Sequence, residues 1–226
     1  DQSLMTIRLH RGDLPDISRY KGAVAVDTEA MGLDVHRDRL CVVQLSPGDG
    51  TADVVQIPAG KQDAPNLAPN LKKLLGDKSI TKIFHFARFD LAMIYNALGV
   101  MPEPVFCTRT ASRLARTYTD RHGLKDLARE ILNVDMSKQQ QSSDWGAETL
   151  TDAQLAYAAS DVLYLHQLMD RLDVMLKREG RSDLAAAGVM FSIDPETGFP
   201  NVAVINAAWG LGESVVQGEI DPDEYH

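Results

Sequence analysis

Two carboxylates separated by one residue follow a short apolar run near the start of the chain. Residues 23–26 are apolar and lead directly into Asp27-Thr28-Glu29. In a β-strand this spacing directs the Asp27 and Glu29 side chains to the same face. Neighbouring carboxylates repel each other unless a cation lies between them. The pair therefore predicts a metal site, with a solvent-exposed strand end as the alternative.

Two further acids occur later in matching contexts. Asp90 ends the segment 85–90, and Asp161 lies four residues after Tyr157. Oxygen ligands suit Mg²⁺ and Mn²⁺, and two such ions side by side support displacement reactions at phosphorus. The four acids together predict a site for two divalent metal ions.

Composition limits the classes of protein to consider. The chain has 226 residues, of which 44% are hydrophobic and 24% are charged, so we expect one substantial core of the α/β class. It shows neither a membrane-spanning run nor a signal peptide, which predicts a cytoplasmic protein without membrane contact. The net charge of −9 disfavours a broad basic surface for long nucleic acid. A nucleic-acid substrate would therefore be short.

The pattern of apolar residues and turn residues predicts alternating strands and helices. We expect strands at 6–9, 23–29, 39–46, 53–57, 80–86 and 104–107, and helices at 66–75, 88–98, 110–116, 124–132 and 151–177. The three strands between 23 and 57 are joined by short turns and predict an antiparallel meander. The helix before 80–86 predicts a crossover that returns the chain beside strand 23–29. Asp90 then falls in the first turn of its helix.

The last of these helices carries two candidate functional groups. Thr151 and Gln154 fit a capping box at its start. Tyr157 and Asp161 are four residues apart, so a phenol and a carboxylate lie on one side of the helix.

This order of elements and acids resembles the RNase H-like fold, here an α/β fold with a mixed five-stranded sheet flanked by helices. Asp27-Thr28-Glu29, Asp90 and Tyr157-x-x-x-Asp161 are similar to the three motifs of the DEDD 3′-5′ exonucleases, in their tyrosine-bearing branch. The segment 138–158 resembles ribonuclease D. Over about residues 5–187, the expected exonuclease domain, the resemblance is closest to the nano-RNase C (NrnC) group, which degrades very short oligonucleotides, above all dinucleotides.

The resemblance implies an activity and roles for the acids. The enzyme would hydrolyse short RNA from the 3′ end to nucleoside 5′-monophosphates, with DNA left open. Asp27, Glu29 and Asp161 would hold one Mg²⁺ or Mn²⁺ ion, and Asp27 and Asp90 would reach a second. Tyr157, with an ordinary pKa near 10, is a poor base, so it would orient the attacking water.

The resemblance also implies a ring of substrate-binding residues around the acids. These residues are Thr28, Gly32, Leu33, His85, Phe86, Lys138 and Gln141. A strand-ending turn with a buried leucine remains the alternative for Gly32 and Leu33, and a core histidine remains the alternative for His85. Trp145 is interpreted as a packing residue, and the Arg113 and Arg116 pair predicts a solvent-exposed helix face.

Residues 188–226 do not continue the nuclease pattern. They resemble a piece of the ATP-binding domain of phosphoenolpyruvate synthase, and a segment this short cannot build an independent core. We expect an atypical C-terminal segment, either an artificial or sequence-assembly hybrid or a natural replacement. The NrnC resemblance implies a homo-oligomeric ring, such as an octamer, and the altered C-terminus leaves that assembly open.

Three other functions remain as alternatives. The first is ribonuclease D-like trimming of longer RNA, or proofreading-like cleavage of DNA. The second is a catalytically inactive nucleic-acid-binding module, for which loss of one acid would be the expected sign. The third is an ATP-dependent phosphotransferase suggested by the C-terminal segment.

Overall fold

A computed structural model describes residues 6–60, 66–136, 142–186, 188–193, 200–207 and 223–224 of the chain. The main sheet has six strands. They are β1 (Thr6–Arg11), β2 (Ala23–Ala30), β3 (Leu40–Ser46), β4 (Thr51–Gln56), β5 (Thr81–Phe84) and β6 (Val105–Cys107). Their spatial order is β1-β4-β3-β2-β5-β6.

Helices cover both faces of this sheet. They are α1 (Pro69–Gly76), α2 (Arg88–Leu98), α3 (Thr108–Ala115), α4 (Leu124–Leu132), α5 (Asp152–Leu163), α6 (Leu165–Arg178) and α7 (Ser182–Ala186). Apolar residues of α1 and α2 pack on one face of the sheet, and those of α3 to α6 pack on the other. This layering confirms the predicted mixed α/β fold.

Strand β2 lies inside the sheet, with a hydrogen-bonded neighbour on each side. It pairs antiparallel with β3 and parallel with β5, which confirms both the meander and the crossover. Val24, Ala25 and Val26 are fully buried because helices cover both faces at this point. The core therefore holds the strand rigidly up to the residue before Asp27.

The predicted count of five strands is wrong. Strand β1 joins the sheet at its edge by pairing in parallel with β4, from Thr6 opposite Thr51 to Arg11 opposite Gln56. Parallel partners are separated by a long stretch of chain, so the local pattern of residues 6–9 did not reveal this pairing.

The prediction of a single helix over 151–177 is also wrong, because the helix is interrupted at Tyr164. Tyr164 ends α5 and precedes α6. Ala158 in α5 packs with Trp145 and strand residues, whereas Leu168 and Leu172 in α6 pack in the cluster shared with α3 and α4. Ala159 and Val162 of α5 also lie in this second cluster, so α5 contacts both clusters and α6 packs in the second.

The C-terminal segment contributes a second, smaller sheet. Strand β7 (Gly188–Ile193) pairs antiparallel with β8 (Pro200–Ala207), and β8 pairs antiparallel with β9 (Asp223–Glu224). Across the described ranges, none of the helices has the length and apolar character that crossing a membrane requires.

Lys82 is a fully buried cation in β5, the strand that leads to His85 and α2. Its Nζ donates to three backbone carbonyl oxygens, those of Asp77 at 2.5 Å, Ile80 at 2.7 Å and Glu103 at 2.7 Å. Burial lowers the pKa of the ammonium group. Through these three hydrogen bonds, Lys82 connects the start of β5 to the loops that precede β5 and β6.

We expect Lys82→Met to lower the free energy of unfolding by about 2–4 kcal/mol, because three backbone carbonyl groups lose a buried, charged donor. The matched control is Lys78→Met, since Lys78 is exposed and forms a surface ion pair with Glu103, worth at most about 1 kcal/mol. Urea unfolding of both variants measures the difference. Equal losses for the two variants would contradict the structural role of Lys82.

Candidate active site

Three carboxylates converge at the end of β2. Asp27 and Glu29 lie on one face of the strand, and Asp161 comes from α5, which covers that face. One oxygen atom from each of the three side chains lies within 4.8 Å of the others. All three residues are half-buried, so the structure brings together three of the four acids that the spacing selected.

Asp90 approaches from the opposite side of the strand. It lies in the first turn of α2 and is almost fully buried. Thr28, whose side chain points away from those of Asp27 and Glu29, donates its hydroxyl to Asp90 Oδ1 at 2.6 Å. Asp90 therefore lies near the three acids, and the hydrogen bond from Thr28 fixes the orientation of its carboxylate. The Thr28 hydroxyl, predicted to bind substrate, is engaged in this bond.

Burial and mutual repulsion make these carboxyl groups difficult to ionise. Burial raises the pKa of Asp27 to about 7, even though hydrogen bonds from the Thr28 amide and Gln44 oppose the change. Burial, followed by the charges of Asp27, Asp161 and Asp90, raises the pKa of Glu29 to about 9. Burial and the charge of Asp27 raise the pKa of Asp161 to about 8.

The same causes act on Asp90, whose pKa is raised well above its ordinary value by burial and by the charge of Asp27. A divalent cation would relieve the repulsion among these groups. Convergent carboxylate oxygens are also the ligands that Mg²⁺ and Mn²⁺ prefer. The residues present therefore fit a divalent metal ion.

Tyr157 lies one turn of α5 before Asp161. Burial and the negative charge of Asp161 raise the pKa of its phenol further above the ordinary value, so the hydroxyl stays protonated at neutral pH. The ring of Tyr157 packs against Trp145, with 6.0 Å between ring centroids. Trp145 is buried, which agrees with the packing role predicted for it.

The loop that carries Trp145 is tied to the fold through its backbone carbonyl groups. Gln154 Nε2 donates to the Asp144 carbonyl at 3.0 Å, and Arg39 donates to the Gly146 carbonyl at 3.1 Å. Gln56 Nε2 donates to the Ala147 carbonyl at 2.9 Å. Trp145 thus forms a fixed support behind Tyr157. Lys138 and Gln141, predicted to bind substrate, lie outside the described residues.

The turn after β2 presents an apolar side chain to solvent. Leu33 is 84% exposed, so the buried-leucine alternative for this position is wrong. A Cβ atom at Gly32 would overlap the Asp38 carboxylate, so any other residue there would displace the Asp38 side chain. The carboxylate of Asp38 accepts a hydrogen bond from the Asp34 amide at 3.0 Å and so closes the turn.

His85 and Phe86 lie between β5 and α2. Thr108 donates its hydroxyl to the Phe84 carbonyl and contacts His85 Nδ1 at 2.9 Å, so Nδ1 carries the proton and Nε2 is an acceptor. Burial and the nearby positive charge of Arg109 lower the pKa of His85 to about 3. The imidazole is therefore neutral at physiological pH.

Phe86 combines an unusual backbone with an exposed ring. Its φ is 64°, in the left-handed region that residues other than glycine rarely adopt. The ring is 49% exposed, and the guanidinium carbon of Arg109 lies 4.1 Å from the ring centroid. Phe86 thus exposes an aromatic surface in the segment that leads to Asp90.

Two residues near the acids were not identified from the sequence. Gln44, in β3, donates Nε2 to Asp27 Oδ2 at 2.9 Å, and Arg109 lies over Phe86. The available signal for Gln44 was a lone amide inside the apolar run 40–45.

The predicted exposure of Arg116 is wrong, because Arg116 is 2% exposed and forms an ion pair with Glu130.

We expect the metal-free protein to lose stability as pH rises from 6 to 8.5. Unfolded carboxyl groups have pKa values near 4, whereas Asp161 and Glu29 reach about 8 and about 9 when folded. Between these values the folded state binds more protons than the unfolded state, so the free energy of unfolding falls with rising pH. Thermal unfolding in EDTA at several pH values measures the slope.

Mg²⁺ should reverse this loss. At about 100 times its dissociation constant, a bound ion adds about 2.7 kcal/mol, or about 5–10 °C in a protein of this size. Asp161→Asn removes one titrating group and should flatten the pH slope in EDTA. A midpoint that rises with pH in EDTA would contradict the repulsion among the acids.

Comparisons with known proteins agree with this geometry. Residues 15–177 match the family model of a 3′-5′ exonuclease domain. Ribonuclease D from Acidiphilium cryptum is 37% identical over 174 residues, which cover 77% of this chain and 43% of that protein. The chain thus spans less than half the length of this ribonuclease D relative.

Solved structures show a second similarity. The chain is similar to Brucella melitensis NrnC bound to pGG, with 64% identity and a TM-score of 0.77, covering 81% of this chain and 87% of that one. The same B. melitensis protein with bound Mg²⁺ gives 62% identity and a TM-score of 0.76 over 81% of this chain and 88% of that one.

The C-terminal part of the chain matches a different family. Residues 131–226 match the model of the AMP/ATP-binding domain of pyruvate phosphate dikinase. This match overlaps the exonuclease match between residues 131 and 177. It agrees with the resemblance seen in residues 188–226.

Proposed function

Because the chain belongs to the 3′-5′ exonuclease family, in a form similar to ribonuclease D and NrnC, we propose that it hydrolyses short RNA oligonucleotides, especially dinucleotides, to nucleoside 5′-monophosphates. The observation that carries this proposal is the convergence of Asp27, Glu29 and Asp161 within 4.8 Å, with Tyr157 one helical turn away. Ribonuclease D-like trimming of longer RNA is the second candidate, favoured by the 37% identity to that enzyme.

Asp27, Glu29 and Asp161 would hold one divalent ion, and Asp27 with Asp90 would hold a second. Two such ions would supply charge neutralisation at the scissile phosphate and acidify the attacking water. Tyr157 holds its proton at neutral pH because burial and Asp161 raise its pKa. Its hydroxyl would therefore orient the water by a hydrogen bond, with Trp145 keeping the ring in place.

The surroundings of the acids favour a short substrate. Leu33 and Phe86 expose apolar surfaces on which bases can stack, and such stacking accepts any base. The net charge of −9 works against binding a long phosphate backbone. A dinucleotide needs few backbone contacts, and the similar NrnC protein was solved with pGG.

Three further parts of the proposal follow from the resemblance. Residues 5–187 form the exonuclease domain, and residues 188–226 are an attached segment rather than an independent domain. The chain assembles into a homo-oligomeric ring and acts in the cytoplasm. Gly32, His85, Lys138 and Gln141 would contact the substrate around the acids.

A cleavage time course tests the substrate class. We expect 5′-labelled RNA of two nucleotides to disappear faster than RNA of five or twenty nucleotides, in Mg²⁺ or Mn²⁺. Asp27→Asn should abolish cleavage, because it removes a charge from the metal site. Asp170→Asn, at an exposed acid of α6, should cleave like the parent. Shortening of the twenty-nucleotide strand alone would favour the ribonuclease D-like function instead.

A second prediction concerns Tyr157. Tyr157→Phe should lower kcat by about 100-fold and leave KM near the parent value, because a misplaced attacking water costs about that factor. Tyr95→Phe, in α2 and partly exposed, is the matched control. Steady-state kinetics on a dinucleotide gives both constants. A kcat equal to that of the parent would rule out a role for the hydroxyl.

A further inference from the structure

Gln44 is a polar side chain that has no contact with solvent. It lies in β3, directly opposite Asp27 in the antiparallel register. Its neighbours Val43 and Leu45 are apolar and equally buried. The amide nitrogen Nε2 donates to Asp27 Oδ2 at 2.9 Å. Gln44 therefore places a neutral hydrogen-bond donor against Asp27 from the neighbouring strand.

The other end of the same amide group is left without a partner. Gln44 Oε1 is buried, and no hydrogen bond reaches it from the described residues. A buried acceptor without a partner costs about 1–3 kcal/mol. An apolar side chain of similar size would avoid this cost in a strand that is otherwise buried. The donor end of Gln44 must offset the cost through its contact with the acids.

The acids also determine which way the amide points. An amide oxygen directed at Asp27 would face a carboxylate oxygen, and two acceptors repel each other. Only the orientation with the NH₂ group toward the acids satisfies both partners. The NH₂ group thus contacts the Asp27 carboxylate.

A hydrogen bond to one oxygen of a carboxylate fixes the rotation of the whole group. With Oδ2 of Asp27 held by Gln44, the Asp27 carboxylate keeps one rotation beside Glu29 and Asp161. The amide nitrogen of Gln44 cannot itself ligate a metal ion, because its lone pair is delocalised. Its effect on a bound cation must therefore pass through the carboxylates.

We infer that Gln44 is a positioning residue that holds the Asp27 carboxylate in the orientation required for a divalent cation. This inference rests on the proposed function, since it assumes that the acids bind a metal ion. Residues that hydrogen-bond metal ligands in this way commonly contribute 10- to 100-fold to metal affinity.

The test compares Mn²⁺ binding to the parent and to Gln44→Met by electron paramagnetic resonance of free Mn²⁺. Methionine matches glutamine in length and lacks its donors. We expect the Mn²⁺ dissociation constant of Gln44→Met to rise about 10- to 100-fold. Cleavage should require correspondingly more Mn²⁺, and raising the Mn²⁺ concentration should restore much of the rate.

Ser46→Ala is the matched control. Ser46 lies two residues along the same strand, is fully buried and donates to the Thr51 carbonyl at 2.7 Å. Its removal deletes a buried hydrogen bond away from the acids, so Mn²⁺ affinity should stay at the parent value. Thermal unfolding in EDTA verifies that each variant is folded before binding is measured.

Gln44→Asn is the second variant, because it keeps an amide in the core but is too short to reach Asp27. It should weaken Mn²⁺ binding in the same direction as Gln44→Met. Parent-like affinity in either folded variant would overturn the positioning role of Gln44. Absence of Mn²⁺ binding by the parent would instead refute the proposed metal site, so the two failures can be distinguished.

Discussion

Repulsion among buried carboxylates is the constraint on which the rest of this structure depends. Asp27, Glu29 and Asp161 lie within 4.8 Å of one another, and each has a pKa raised well above that of a free carboxyl group. Folding brings these groups together with no salt bridge to any of the three from the described residues. The sheet and helices around them supply the necessary free energy through their apolar packing.

The two elements that carry these acids are held in different ways. Strand β2 pairs with β5 over residues 23–25 and with β3 from Ala25 onward, so Asp27 and Glu29 cannot move apart without disrupting the pairing with β3. Helix α5 begins at a capping box between Thr151 and Gln154, and Gln154 also bonds the Asp144 carbonyl. The start of the helix is thereby tied to the loop that supports Tyr157.

Features set by short sequence spacing were predictable. The spacing of Asp27 and Glu29 and that of Tyr157 and Asp161 follow from the geometry of a strand and a helix. Features that depend on contacts between residues far apart in the sequence were not predictable. Strand β1 pairs with residues about 45 positions later, and Arg116 is buried only because Glu130 and α4 lie beside it.

A second buried acid in the same fold shows how the site differs from an ordinary structural carboxylate. Asp53 accepts hydrogen bonds from Arg19 at 3.1 Å and Tyr20 at 2.5 Å, and contacts His10 at 2.9 Å. A cation of the protein balances its charge there, so that site has no need of a metal ion.

The acids of the candidate active site have neutral partners instead. Gln44 donates to Asp27 and Thr28 donates to Asp90. In the described part of the chain, none of these acids forms a salt bridge. Neutral donors fix the direction of carboxylate oxygens without placing a cation in contact with them. A lysine or arginine in the same positions would occupy the place of a divalent ion and compete with it. The partner of each acid therefore separates the two uses. A cationic partner makes Asp53 a structural acid, and neutral partners leave the acids of the candidate active site free to bind a metal ion.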